Sequence, residues 1–231
     1  NQILREVGVN PENTSLVIST LLKWVQENIE FNGTRGLSFI SKSSKATYDD
    51  RYGSNEDLAV LLMGMLKEAG IRVYPVLTRF YTNGKPVSSF PYPYQFDHIL
   101  VVAEVGFEKY YLDPSVSFAE VNEPYWKSQN VEAVILKRND IEIVTTPGSD
   151  YIENSSVGVH TISNIENNRI DIQTDIQYTG ISLGFINSLK KNDDERKNER
   201  VVNYIQDDLT TAVVDTFLIG DKSMSITYHS H

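Results

Sequence analysis

Residues 52–71 read YGSNEDLAVLLMGMLKEAGI, and this stretch decides the fold. Ser54 is a favourable N-cap, and Asp57 three residues later completes a capping-box pair at the positive end of a helix. Gly70 is a typical helix terminator. We therefore predict a central helix over 55–69, with Asn55 in its first turn. Its apolar residues recur at helical spacing and form one broad buried face, made by Leu58, Leu61, Leu62, Met65, Leu66 and Ala69.

The segment before this helix contains a second helical pattern. Apolar residues from Ile18 to Ile29 form a stripe that predicts a helix over 11–30. Asn10 followed by Pro11 is a favourable start signal for that helix. Residues 31–50 are polar and rich in Gly and Ser, so we predict mostly loop there.

Strand-like segments follow the central helix. They are rich in Val, Ile, Tyr and Phe, and turn residues such as Asn83-Gly84 and Gly106 separate them. The predicted strands cover 72–81, 98–104, 109–112, 132–136 and 141–144. A helix packed on an antiparallel sheet would make residues 1–146 an α+β domain.

Residues 147–231 differ in pattern from the first part of the chain. Pro147 and Gly148 lie in a predicted linker, and alternating residues then predict a hairpin around Asn167-Asn168. We predict a small β-rich domain with one helix, truncated at the chain end. Its predicted elements are strands at 158–165, 169–178, 212–219 and 223–228, and the helix within 190–209.

Composition excludes several classes of function. The 231 residues carry a formal net charge of −10, which disfavours nucleic acids and anionic lipid surfaces as partners. No apolar run is long enough for a transmembrane helix, and the first residues lack the features of a signal peptide. We expect the chain to be a segment of a longer protein. The absence of cysteine excludes disulfides and thiol catalysis.

Two polar residues lie at the ends of predicted neighbouring strands. His98 opens one strand and Asp113 follows the next, fifteen residues later, so their side chains can meet. In a Cys-His-Asp enzyme the thiol lies at a helix N-terminus, the His takes its proton and the Asp orients the His. Asn55 occupies the corresponding helix position here. Its amide nitrogen is not a nucleophile at neutral pH, because its lone pair is delocalised.

These residues carry a family resemblance. The stretch 53–59, Phe96-Asp97-His98 and Leu112-Asp113-Pro114 together resemble the transglutaminase-like family of papain-type cysteine enzymes, and the similarity covers about residues 11–147. The resemblance implies a papain-like core in which His98 and Asp113 are triad members and Asn55 replaces the cysteine. The second domain is similar to the β-rich domain that follows such modules in bacterial envelope proteins. This implies a location in the periplasm or at the cell surface.

Departures from the family pattern suggest that activity has been lost. Ser54, Glu56 and Asp97 stand where the family has Asp, Lys and Asn, so several positions around Asn55 have changed. We expect a catalytically inactive module that needs no cofactor and binds a peptide, a glycan or a partner protein through the former active-site cleft. Two alternatives stay open. One is a cysteine-type amidase, protease or transglutaminase whose Cys was replaced at position 55, and the other is a purely structural domain of a larger envelope protein.

Other candidate residues surround this cleft. Aromatic faces suit sugar rings or extended peptides. The expected cleft-lining residues are Ser54, Phe90, Tyr92, Tyr94 and Phe96. We expect Asn55, His98 and Asp113 to form a hydrogen-bonded cluster at its floor.

Two further kinds of site are disfavoured. As an N-cap, the Ser54 hydroxyl is already engaged, which argues against a serine hydrolase. The acidic residues near the helix start fit no calcium loop, and we interpret them as solvated or capping charges. No metal site is predicted. These acidic residues are Asp49, Asp50, Glu56 and Asp57.

Overall fold

The computed structural model describes residues 13–35, 41–87, 92–117, 119–149, 155–166 and 169–230. The chain forms two compact units, an N-terminal unit Asn1–Gly148 and a C-terminal unit Ser149–His231. Each unit combines helices with an antiparallel sheet. The predicted α+β class is therefore confirmed.

Three helices are described in the N-terminal unit: α1 (Thr14–Asn28), α2 (Ser44–Asp50) and α3 (Asn55–Glu68). Helix α1 begins later than predicted, because the Asn13 side chain accepts the Leu16 N–H and caps it. Asn10 and Pro11 lie outside the described residues. Helix α2 lies within the predicted loop, where the Ser43 side chain accepts the Ala46 N–H and caps a short helix.

Five strands form the main sheet, in the order β5-β4-β3-β6-β7, and all neighbours are antiparallel. Before it in the chain, β1 (Glu30–Phe31) and β2 (Tyr52–Gly53) form a short parallel pair. The strands of the main sheet are β3 (Arg72–Thr78), β4 (His98–Val105), β5 (Glu108–Leu112), β6 (Glu132–Leu136) and β7 (Ile141–Thr145). Strand β3 ends before the predicted residue 81, since Tyr81–Asn83 form a 3₁₀ turn.

Helix α3 packs against α1 and against β3 and β4. Leu58, Leu62 and Leu66 of this helix are fully buried, as its predicted apolar face requires. Burying each such side chain contributes about 1.5–3 kcal/mol to folding. A separate apolar cluster covers the other face of the sheet and includes Leu100 and Ile135. The central helix is therefore fixed firmly against the strand that begins at His98.

The start of α3 is held by the predicted capping box. Ser54 Oγ accepts the Asp57 N–H at 3.2 Å, and Asp57 Oδ2 accepts the Ser54 N–H at 2.9 Å. Asp57 Oδ1 also accepts the Lys42 N–H. Gly53 is needed here because a Cβ at this residue would lie 2.7 Å from the Asp57 Cβ. These contacts place Asn55 at the first helical position.

The acidic residues near α3 have partners of their own. Asp50 pairs with the Lys42 ammonium at 2.8 Å, and Asp49 pairs with Lys45 one helical turn away. Asp57 belongs to the capping box. These contacts agree with the interpretation of the group as capping and surface charge.

The C-terminal unit contains a four-stranded antiparallel sheet in the order β10-β11-β9-β8. Its elements are β8 (Ser156–Glu166), β9 (Arg169–Tyr178), α4 (Leu183–Lys190), α5 (Asp194–Gln206), β10 (Val213–Ile219) and β11 (Ser223–Ser230). The helix predicted within 190–209 is present as α5, but the prediction of only one helix in this unit was wrong. Asp193 caps the Arg196 N–H and begins a new helix, so α4 precedes α5 as a separate element. The predicted turn residues Asn167 and Asn168 lie outside the described residues.

Across the described ranges, no helix has the length and apolar character needed to cross a membrane.

Candidate functional site

His98 and Asp113 lie close together, as the strand pattern predicted. Strands β4 and β5 pair with Val101 opposite Leu112, so His98 and Asp113 lie near the same end of the ladder. His98 Nε2 is 2.7 Å from Asp113 Oδ2, and both side chains are fully buried. The pair is therefore preformed and shielded from water.

Asp113 accepts several hydrogen bonds besides that of His98. The Tyr125 N–H reaches its Oδ2 at 2.9 Å, and the Ser115 N–H and hydroxyl reach its Oδ1 at 3.1 and 2.8 Å. Burial alone would raise the pKa of the Asp113 carboxyl. Its attraction to His98 and these hydrogen bonds outweigh burial and hold the pKa below its ordinary value. Asp113 is thus a carboxylate at neutral pH.

Arg35 engages the second ring nitrogen of His98. Its Nη1 lies 3.1 Å from His98 Nδ1 and 2.9 Å from Ser115 Oγ. Arginine has donors only, so Nδ1 must accept and Nε2 must carry the proton that His98 donates to Asp113. The hydrogen bonding therefore fixes the orientation of the His98 ring between Arg35 and Asp113.

The guanidinium of Arg35 is held by two aromatic rings. It lies 4.5 Å from the centroid of the Phe31 ring and 4.4 Å from that of Tyr125. Burial lowers the pKa of Arg35, while the charge of Asp113 opposes this shift. These contacts hold the guanidinium at the His98 ring.

The Asn55 side chain pairs with the backbone of β4 instead of the His98 ring. Its Nδ2 donates to the Ile99 carbonyl at 3.0 Å, and its Oδ1 accepts the Ile99 N–H at 2.7 Å. Asn55 is fully buried, and its own N–H donates to the Thr34 carbonyl. The expected cluster of three side chains is therefore corrected: His98 and Asp113 are together, Arg35 completes the group, and Asn55 joins α3 to β4.

Aromatic side chains enclose the His98 ring. The ring centroids of Phe80 and Tyr125 lie 5.8 and 5.9 Å from that of His98 and 5.5 Å from each other. Asp97 accepts the Phe80 N–H and an Asn83 amide hydrogen at 2.9 Å each. Asp97 therefore positions the Phe80 segment beside the ring.

An apolar pocket of about 530 Å³ lies on the α3 face of the sheet, between α3 and strands β3, β6 and β7. Tyr92 and Phe96 line it, as does Ile99, the residue whose backbone Asn55 holds. Tyr94 packs its ring against Tyr92, with the centroids 5.4 Å apart, and is 58% exposed. Ser54 serves as the helix cap and does not line this pocket, and Phe90 lies outside the described residues. Two residues of the predicted aromatic loop, Tyr92 and Phe96, thus line an apolar pocket against α3.

Three observations bear on what the arrangement can do chemically. Within the part of the chain that the structure describes, no group of three or more His, Cys, Asp and Glu residues is placed to hold a metal ion. Both ring nitrogens of His98 are hydrogen-bonded, and the residue at position 55 carries an amide paired with backbone. A proton-transfer role would require Arg35 to leave His98 Nδ1 first.

Sequence reasoning missed Arg35, Ser115, Tyr125 and Gln26. Gln26 donates from Nε2 to the carbonyls of Asp113 and Ala119. Of these four residues, only Gln26 could have been recognised from the sequence, because it is a polar residue on the otherwise apolar stripe of α1. Arg35 lies in a segment with no periodicity, so no local pattern indicated its contact with His98.

Comparison with known proteins gives no match of any kind to this chain: none to a family model, none to a curated protein and none to a solved structure.

Proposed function

We propose that the N-terminal unit is a transglutaminase-like module without catalytic activity, which acts by binding a peptide, a glycan or a partner protein. The family resemblance supplies the first part of this proposal. The extracytoplasmic location of the module is proposed on the same ground.

One observation carries the loss of catalysis: Arg35 Nη1 lies 3.1 Å from His98 Nδ1. Asp113 engages Nε2, so neither ring nitrogen is available to take a proton from a nucleophile. Asn55, whose side-chain amide is hydrogen-bonded to the Ile99 backbone, offers no nucleophile either. His98 is therefore hydrogen-bonded to both Asp113 and Arg35, but no nucleophilic side chain stands at position 55.

The binding role is supported by the apolar pocket between α3 and the sheet. Its volume of about 530 Å³ lies within the range of ligand sites. Because aliphatic side chains dominate its lining, the pocket suits an apolar group of a peptide or partner better than a glycan, which needs many polar contacts.

The experiment that tests the proposal is a turnover assay of the whole chain on a set of peptide amides, glutamine-containing peptides and esters. We expect no release of product above that of the His98→Gln variant. Turnover by the natural chain that disappears in His98→Gln would contradict the proposal, since it would show that His98 still acts chemically.

A purely structural role is the second candidate, and the Asn55–Ile99 contact favours it. Two buried hydrogen bonds at 3.0 and 2.7 Å fix the start of α3 to β4, which is a structural use of the position. A structural domain would bind no ligand in the apolar pocket. Ligand screening by protein NMR distinguishes the two roles, since only a binding module would show shift changes of residues such as Val134 and Ile143.

A further inference from the structure

We propose that the apolar pocket binds a small amphipathic cation, in which an aliphatic chain fills the pocket and an ammonium-type group lies at its mouth. This inference rests on the binding role proposed for the pocket, but not on the loss of catalysis at His98. It goes beyond the peptide, glycan or protein ligand proposed above to a small-molecule class.

The interior of the pocket is built for a hydrocarbon chain. Ala59 and Met63 of α3 face Leu77, Val134 and Ile143 of the sheet across it. An apolar cavity of about 150 Å³ is enough to hold benzene. The volume of about 530 Å³ therefore accommodates a chain of several more carbons.

The mouth of the pocket exposes apolar side chains that a ligand would cover. Ile141 is 60% exposed, Ile143 58% and Val87 51%. On the opposite face of strand β7, Glu142 pairs with Lys109 and Lys137, and Val144 packs against the apolar cluster that includes Leu100 and Ile135. The exposed apolar side chains on the pocket side are surface that a ligand would cover, and covering them removes apolar area from water.

The charge of the pocket selects a cation over an anion. Glu56 and Glu132 are its ionisable carboxyl groups, and no Lys, Arg or His occurs among the described residues that line it. Tyr92 adds an aromatic ring, which attracts cations through its face. The net charge of −10 acts in the same direction.

Titration calorimetry with three ten-carbon probes tests the ligand class on the whole chain: decylamine, decanol and decanoate, each below its micelle concentration. Decylamine is a cation at neutral pH, like a lysine side chain. We expect decylamine to bind at least about tenfold tighter than decanoate, with decanol in between. Shortening the amine should weaken binding by up to about fourfold for each methylene removed.

Two substitutions locate the site. Ile143→Lys places a cation at the mouth, and we expect it to weaken decylamine binding by at least about tenfold. Ile165→Lys is the matched control, since Ile165 is a 70% exposed isoleucine on strand β8 of the other unit, and it should leave binding unchanged. Glu132→Gln should weaken decylamine about threefold and leave decanol unaffected.

Several outcomes overturn the inference. Decanoate binding as tightly as decylamine contradicts the cation preference, and equal effects of Ile143→Lys and Ile165→Lys place the ligand elsewhere. If none of the three probes binds, the proposal that the pocket takes an amphipathic cation is refuted. These binding experiments do not test catalysis at His98, which the turnover assay measures. The proposed ligand and the proposed loss of catalysis can therefore be refuted independently of each other.

Discussion

Arg35 Nη1 lies 3.1 Å from His98 Nδ1, on the ring nitrogen that Asp113 leaves unoccupied. This contact decides what the buried group can do. On the proposed account His98 has a structural role, because a nucleophile at position 55 would have to compete with the Arg35 guanidinium for Nδ1.

Removing Arg35 should destabilise the N-terminal unit. In Arg35→Ala the buried His98 Nδ1 and the Ser115 hydroxyl lose a donor, and we expect a loss of about 1–3 kcal/mol in the free energy of unfolding. Denaturant unfolding measures this loss. The control is Arg72→Ala, whose side chain is 71% exposed and which should change stability by less than about 0.5 kcal/mol. Equal effects of the two variants would contradict the role of Arg35.

Asn55→Ala should be costly although the residue has no chemical role. Both polar groups of Ile99 that bond to Asn55 would lose their partner, which costs about 2–4 kcal/mol in total. Asn203→Ala, at an exposed position of helix α5, should remain within about 0.5 kcal/mol of the natural chain. Thermal or chemical unfolding gives both values, and a neutral Asn55→Ala would refute the structural role.

The contribution of Asp113 should depend on pH. Its pKa in the folded chain lies below the ordinary value near 3.9, so the unfolded state binds the proton more tightly. Its stabilisation is therefore complete above about pH 4 and is lost as the pH falls through the lower folded pKa. We expect Asp113→Asn to cost about 2–4 kcal/mol at neutral pH, with the difference from the natural chain shrinking at acid pH.

Unfolding experiments at a series of pH values test this. Asp221→Asn is the control, since its carboxylate is fully exposed, and its effect should be small at every pH. A cost for Asp113→Asn that does not change between neutral and strongly acid pH would contradict the assignment of Asp113 as a carboxylate with a lowered pKa.

Ser54 should not react with a serine-directed fluorophosphonate. Its hydroxyl oxygen accepts the Asp57 N–H at 3.2 Å as part of the capping box, and no described contact links it to His98. Mass spectrometry of the treated chain should show no adduct at Ser54. The same hydroxyl has a structural effect, and Ser54→Ala should cost about 1 kcal/mol of stability.

Local patterns were sufficient to predict much of this structure. The Ser54–Asp57 capping box and the apolar stripe of α3 are short-range signals, and they predicted the helix correctly. The meeting of His98 and Asp113 followed from two adjacent antiparallel strands joined by a tight turn. Such features depend on residues near each other in sequence.

The remaining features depend on contacts between distant segments. Arg35 reaches His98 across 63 positions, and no periodicity indicated it. Asn55 was expected to bond to the His98 ring, but the tertiary packing of α3 brings its amide to the Ile99 backbone instead. The apolar pocket was missed for the same reason, because it arises where α3 and the β6–β7 hairpin face each other.

The most direct test of the central claim is the thiol pKa of Asn55→Cys, read from thiolate absorbance against pH. The chain has no other cysteine, so the signal belongs to one site. Because Arg35 holds His98 Nδ1, we predict the same thiol pKa, within about 0.5 unit, in Asn55→Cys and in Asn55→Cys/His98→Gln. A thiol pKa that is more than about 1 unit lower when His98 is present would show a working Cys-His pair and contradict the account.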